Sequence, residues 1–313
     1  MNSQNLVGLL LLFLQLPHSG SADPSHNAPS ISLNRTKRLT DANFDDESIR
    51  LSHFVVSIRT RTARMFFGDN HFCSGVILSP LFVLTSSHCV IDKRRIRYAS
   101  RMLLVVAAAV NRLKYLKHRT FVTPVKRIML PDNFTMVNQQ DIGLLKLKHA
   151  LPRNSKHISV ARMPLQSPQP GLRCNVMGWG RMFLAGPMAS YLLYIDVVTI
   201  ESRKCAELLK VPTVDLLCAI DDNPFTDQQP CVGDWGSPLM HGSTVYGIVS
   251  VIVGCGDDTP SVYTDVYKNI DWIQEKINTD AGSTISVPHL LVYFLIVIFQ
   301  KWSFSLFIFV GQN

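Results

Sequence analysis

The chain is predicted to be all-β on three features. Short apolar or alternating runs recur from Phe54 onward, at Phe54–Ile58, Val76–Leu78, Phe82–Thr85, Ile142–Leu147, Tyr194–Ile200 and Val245–Val253. Gly, Pro, Asn and Asp separate these runs, and many short strands joined by turns make a sandwich or barrels. A helical period is clear in one place near the end, where Ile270, Ile273 and Ile277 fall at i, i+3 and i+7.

With 313 residues there is room for one large all-β domain or two small ones. At 47% hydrophobic and 17% charged, the chain is too apolar to be disordered. Thirty-one basic against twenty-three acidic side chains leave a net +8. That balance favours an anionic partner.

Both ends are set apart from the fold. Leu6–Leu16 is a short apolar run followed by Ser19-Gly20-Ser21-Ala22, which reads as a signal peptide over 1–22. Such a run is too short to cross the ~30 Å hydrocarbon layer. Residues 23–38 read as a flexible linker or pro-segment, ending in the basic run Arg35-Thr36-Lys37-Arg38 where a convertase could cut. The stretch 279–313 is a hydrophobic tail. As a single span it would bury Lys301, at roughly 2.5–3.5 kcal/mol. As a glycolipid-anchor signal it offers small residues at Ala281-Gly282-Ser283 ahead of the apolar run Leu290–Phe299. An anchor, a span and plain secretion all stay open. The expected location is extracellular, secreted or attached to the outer cell surface.

All seven cysteines lie between Cys73 and Cys255. In an exported chain they should form disulfides, and an odd number leaves one sulfur over. No Cys-x-x-Cys pair is present, so zinc is not expected, nor is any other cofactor. Asn34-Arg35-Thr36 and Asn133-Phe134-Thr135 are glycosylation sequons.

Three local motifs follow in order. Leu84-Thr85-Ser86-Ser87-His88-Cys89 comes first, then Asp141-Ile142-Gly143-Leu144-Leu145-Lys146-Leu147. Cys231-Val232-Gly233-Asp234-Trp235-Gly236-Ser237-Pro238 comes last. With Met177-Gly178-Trp179-Gly180 and Gly247-Ile248-Val249-Ser250, the chain resembles the trypsin/chymotrypsin-like serine protease family over about residues 39–278. The resemblance implies two six-stranded antiparallel β-barrels with a cleft between them and a C-terminal helix. It also implies disulfides Cys73–Cys89, Cys205–Cys218 and Cys231–Cys255. Cys174 is left unpaired, because its family partner position holds His241.

One residue breaks the pattern. Where the family carries its nucleophilic serine, this chain has Trp235. Acyl transfer needs an oxygen or sulfur that a base can deprotonate, and an indole has neither. His88 and Asp141 would then be vestigial, and Gly233 would keep only the oxyanion turn. Such a remnant gives ~10³–10⁴-fold over water. The specificity-pocket positions correspond to Gln229, Ile252 and Ser261, and neither an acidic base nor open glycine walls remain. Trp235 is expected to lie across the cleft mouth. The family's activating Ile-Val-Gly-Gly start is missing as well, so Asp234 is expected to pair with His71, the zymogen-like arrangement.

Between Lys93 and Arg127 there are eleven Lys or Arg and no acid. This basic face, with Lys93, Arg94, Arg95, Arg97 and Arg101 at its start, is expected to take an extracellular protein or an anionic glycan. A calcium loop there would need carboxylates. Nucleic acid is not expected of an exported chain. The functional expectation is a non-catalytic serine protease homologue acting as a protease cofactor, decoy or adhesion factor. Two alternatives are a residual hydrolase using Ser237 and a structural cell-surface protein.

Overall fold

A computed structural model describes residues 45–282, apart from 93, 95, 133, 135–139, 211–215, 224, 227, 253, 257 and 258. The signal, the linker, the tail, Asn34, Asn133, Lys93 and Arg95 therefore lie outside the described residues. Twelve strands close into two antiparallel barrels. The first is built from β1 (Val55–Thr60), β2 (His71–Ser79), β3 (Phe82–Thr85), β4 (Leu103–Ala107), β5 (Phe121–Met129) and β6 (Gly143–Leu147), in the order β1-β2-β3-β6-β5-β4. The second is built from β7 (Arg173–Gly178), β8 (Leu193–Ile200), β9 (Leu216–Asp221), β10 (Pro238–His241), β11 (Thr244–Val249) and β12 (Ser261–Asp265), in the order β10-β11-β12-β9-β8-β7.

The unbroken apolar runs have a simple cause. Successive side chains of a strand point to opposite faces, and here both faces of several strands meet apolar cores. In β6, Leu145 and Leu147 fill the first barrel with Val56, Ile58, Val83 and Val105. Leu144, between them, points the other way, into a cluster with Val55, Val76 and Leu84. The same cluster holds Met177, Trp179, Tyr194, Ile248 and Ile273 from the second barrel and the final helix. It is the seam that fixes the barrels against each other. The second barrel's own interior holds Ile195, Val197, Ala219, Leu239 and Tyr263.

Three helices flank the barrels: α1 (Asp46–Leu51), α2 (Ser202–Leu209) and α3 (Ile270–Gly282). Asp45 and Ser48 form a reciprocal capping box at the start of α1, which satisfies backbone donors a short helix otherwise leaves open. Cys205–Cys218 ties α2 to β9. The periodic helix α3 packs Ile273 into the seam, and its Asp280 is paired with Arg127 at 2.7 Å and with Lys146. Helices α1 and α2, six and eight residues long, were not among the elements expected from the sequence; α1 buries two residues and α2 one.

Candidate functional site

His88 sits in a single 3₁₀ turn, Ser87–Cys89, directly after β3. Ser86 caps the turn by accepting the His88 N–H at 3.1 Å, and Cys89 is bridged back to Cys73 in β2. Asp141 immediately precedes β6 and is 3% exposed. Because β3 and β6 are neighbours in the first barrel, the two meet: His88 Nδ1 lies 2.6 Å from Asp141 Oδ2. The hydrogen bond to Asp141 and its charge raise the His88 pKa, outweighing the burial that lowers it.

The carboxylate is heavily buttressed. Ser86 Oγ lies 2.7 and 2.6 Å from its two oxygens, Ser250 Oγ donates at 2.7 Å, and the His88 N–H donates at 3.0 Å. Thr264 Oγ1 donates to the Asp141 carbonyl at 2.9 Å. Ser250 and Thr264 come from the second barrel, so the barrels co-operate in orienting Asp141. Sequence reasoning had not given Ser86, Ser250 or Thr264 this role.

Facing this pair is the 231–237 turn. Gly233 (φ +104°) and Gly236 (φ +80°) adopt backbone conformations that L side chains rarely take. A Cβ on Gly236 would fall 2.2 Å from the Ser74 carbonyl oxygen. Trp235 stands between them, its carbonyl accepting the Ser74 N–H at 2.8 Å. Its indole is half-buried and packs on the first-barrel cluster that includes Cys73 and Cys89. Ser237 is fully buried behind the turn. A Cβ built on Gly178 would come 2.8 Å from its Oγ, and that Oγ makes no hydrogen bond.

The expected His71–Asp234 pair is not made. Asp234 instead accepts the Gly180 N–H at 2.8 Å and the Cys231 N–H at 3.0 Å. Gly178 and Gly180 leave the space for it, since a Cβ on either would fall within about 2 Å of a carboxylate oxygen. Two neutral donors do not offset full burial, which pushes the Asp234 pKa up to about 7. His71 belongs to another network. Arg59 Nε donates to Ser57 Oγ at 2.8 Å, Ser57 Oγ lies 2.8 Å from His71 Nδ1, and His71 Nε2 lies 3.3 Å from the Gly233 carbonyl. A guanidinium can only donate and a carbonyl can only accept, so the chain runs one way and His71 is the neutral Nε2–H tautomer. Burial and the nearby charges of Arg112 and Arg59 push its pKa down to about 3. A third buried cation there is disfavoured, which is why His71 cannot supply Asp234 with a counter-charge.

Arg112 is a second departure. Counted among the cations of the basic face, it is only 7% exposed. It donates to the carbonyls of Gly68 (2.6 Å), Ala189 (2.7 Å) and Met188 (3.4 Å), while its own carbonyl accepts from Arg59 at 2.9 Å. It therefore ties the loop before β2 to the loop before β8. Arg94, Arg97 and Arg101 are exposed, and Arg127 is engaged by Asp280.

The pocket beside the turn is nearly closed. Gln229, Val249, Ile252, Pro260 and Ser261 are among the residues around a space of about 10 Å³, room for about one water. Gln229 spans its base, accepting from the Gly256 N–H at 3.2 Å and donating to the Thr259 carbonyl. Disulfides join Cys73 to Cys89, Cys205 to Cys218 and Cys231 to Cys255. Cys174 is a buried free thiol whose pKa burial pushes up to about 12. Among the described residues, no group of three His, Cys, Asp or Glu could hold a metal, and no helix is long and apolar enough to cross a membrane.

Comparison with known proteins gives concordant results. A family model described as Trypsin matches residues 44–273. Anionic trypsin of Canis lupus familiaris is 27% identical over 212 residues, 66% of this chain and 80% of that protein. A thrombin-like enzyme of Gloydius halys is 29% identical over 254 residues, 76% of this chain and 97% of that protein. Among solved structures, human heparin binding protein is similar with a TM-score of 0.62 at 23% identity, over 74% of this chain and 93% of that one.

Proposed function

We propose that this chain, which belongs to the trypsin family, is a non-catalytic member that works outside the cell as a binding or regulatory protein. The observation that carries this reading is Trp235 at the apex of a turn whose glycines keep their special conformations. The base and its orienting acid stand at 2.6 Å, but the residue at the family's nucleophile position has no proton on oxygen or sulfur to give up. Ser237 does not take its place, being sealed behind the turn. A pocket of about 10 Å³ with a neutral amide at its base does not suit a lysyl or arginyl side chain.

Three disulfides fit an oxidising, extracytoplasmic setting. The exposed cations Arg94, Arg97 and Arg101 are the proposed partner surface, for an acidic protein segment or a sulfated glycan. A similar fold in a protein named for binding heparin supports the glycan side of that choice.

A fluorophosphonate probe tests the reading. The wild type is expected to stay unlabelled. Trp235→Ser is expected to be labelled, since His88 and Asp141 are in place, yet to gain no more than about tenfold over the wild type on arginyl and lysyl amides, because the filled pocket does not seat them. Specific labelling of the wild type that is lost in Ser237→Ala would overturn the proposal in favour of an unconventional hydrolase.

A further inference from the structure

A groove of about 290 Å³ lies against the first barrel, and none of its lining residues belongs to the site described above. Ile77, in β2, and Pro80, in the turn after it, form one part of the lining. The chain that leaves β6 then passes these two residues twice. The Leu151 N–H donates to the Pro80 carbonyl at 2.8 Å, and the Ala161 N–H donates to the Ile77 carbonyl at 2.8 Å. The two stretches so pinned supply the rest of the lining, Leu151 to Arg153 from the first, Ile158 and Val160 from the second.

The chemistry of this lining is one-sided. Among the described residues, Arg153 alone is charged and every other lining side chain is hydrocarbon. Arg153 is exposed, and among the described residues no acid pairs with it. Its surroundings in sequence offer none: no Asp or Glu occurs from His71 to Ile91 or from Ile142 to Ile195, the two segments that build the groove. An occupant must therefore be apolar along its body and negative at one end. It is not an extended peptide. The N–H groups of Ile77, Leu151 and Ala161 are already spent on Phe54, Pro80 and Ile77, and Pro80 and Pro152 have none to give. A peptide laid there would leave its own backbone groups unpaired, whereas a hydrocarbon chain has none to satisfy.

We propose that this groove binds a fatty carboxylate, with the aliphatic chain between Ile77, Leu151, Ile158 and Val160 and the carboxylate on Arg153. The planar fork of a guanidinium matches a carboxylate with two parallel hydrogen bonds. The space is roughly twice the ~150 Å³ of an engineered apolar cavity that takes benzene. A methylene needs about the room of one water, ~30 Å³ in the liquid, so about ten carbons fill it. The site is separate from Arg94, Arg97 and Arg101, and it does not depend on whether the chain is catalytic.

Calorimetric titration of the full-length protein with straight-chain carboxylates from hexanoate to tetradecanoate tests this. Affinity is expected to rise about threefold to fourfold per added methylene and to level off near ten carbons, where the groove is full. Decyltrimethylammonium, of the same length and opposite charge, should bind at least about tenfold more weakly than decanoate. Arg153→Gln should weaken decanoate about fivefold and leave decanol unchanged. Val160→Trp, at an exposed position, should fill the groove and abolish binding of both without unfolding the protein. No saturable binding at any length, affinity that climbs past fourteen carbons without levelling, or decanoate binding that survives Val160→Trp overturns the proposal. So does capture by phosphatidylserine vesicles without uptake of free decanoate, which would assign the groove to a membrane surface instead.

Discussion

Asp234→Asn is expected to shift the difference in unfolding free energy between variant and wild type by roughly 4 kcal/mol between pH 4 and pH 8, in the variant's favour as pH rises. The folded pKa of Asp234 is about 7 against an ordinary 3.8. A carboxyl whose pKa is raised by folding contributes stability that is complete below its unfolded pKa and is lost as pH rises through the folded one. For Asp234 that loss spans pH 4 to 7. His71 works in the opposite direction. Its folded pKa is about 3 against 6.5, so stability is lost as pH falls below 6.5. In the wild type the two slopes, each about 1.4 kcal/mol per pH unit, oppose one another across pH 4 to 6.5. Removing the Asp234 titration leaves the His71 slope exposed. Urea unfolding of both proteins at half-unit pH steps checks this, and parallel stability curves would show that Asp234 carries its charge at no cost.

Arg112→Met is the second large effect, a loss of about 3–5 kcal/mol. A buried ion pair can often be replaced by a hydrocarbon of similar size at little cost, because both charges leave together. Here the acceptors are three backbone carbonyls: those of Met188 and Ala189 lose the Arg112 donor outright, and that of Gly68 keeps the long 3.4 Å bond from the His71 N–H. For a domain of this size the melting temperature should fall by roughly 6–20 °C. Arg112→Lys should recover only part of it, since one ammonium cannot serve two loops with the geometry of a guanidinium. Limited proteolysis gives an independent readout: cleavage within the segment between β7 and β8 should accelerate in Arg112→Met. A melting temperature within about 2 °C of wild type would mean that the two loops are held by other contacts.

Much of the site could be read along the chain because its chemistry is local. Trp235 departs from its family position wherever its ring packs, and Gly233 and Gly236 mark the turn whatever surrounds them. The strands were legible as apolar runs because neighbours such as Leu144 and Leu145 serve two cores, one on each face of the same strand. The short helices α1 and α2 left a weaker trace, since six and eight residues carry too few apolar positions, such as Leu51 in α1 and Cys205 and Leu209 in α2, to stand out along the chain.

The charged interior is a different matter. Nothing in the run from Lys93 to Arg127 distinguishes Arg112 from the ten cations around it, yet Arg112 is buried. Its acceptors lie 44, 76 and 77 residues away in sequence. His71 was matched with Asp234 by position, but Ser57, Arg59 and the Gly233 carbonyl claimed its ring first. A side chain's type states which charge it can carry. Whether it carries that charge, and against what, depends on backbone donors and acceptors that converge only when both barrels have closed.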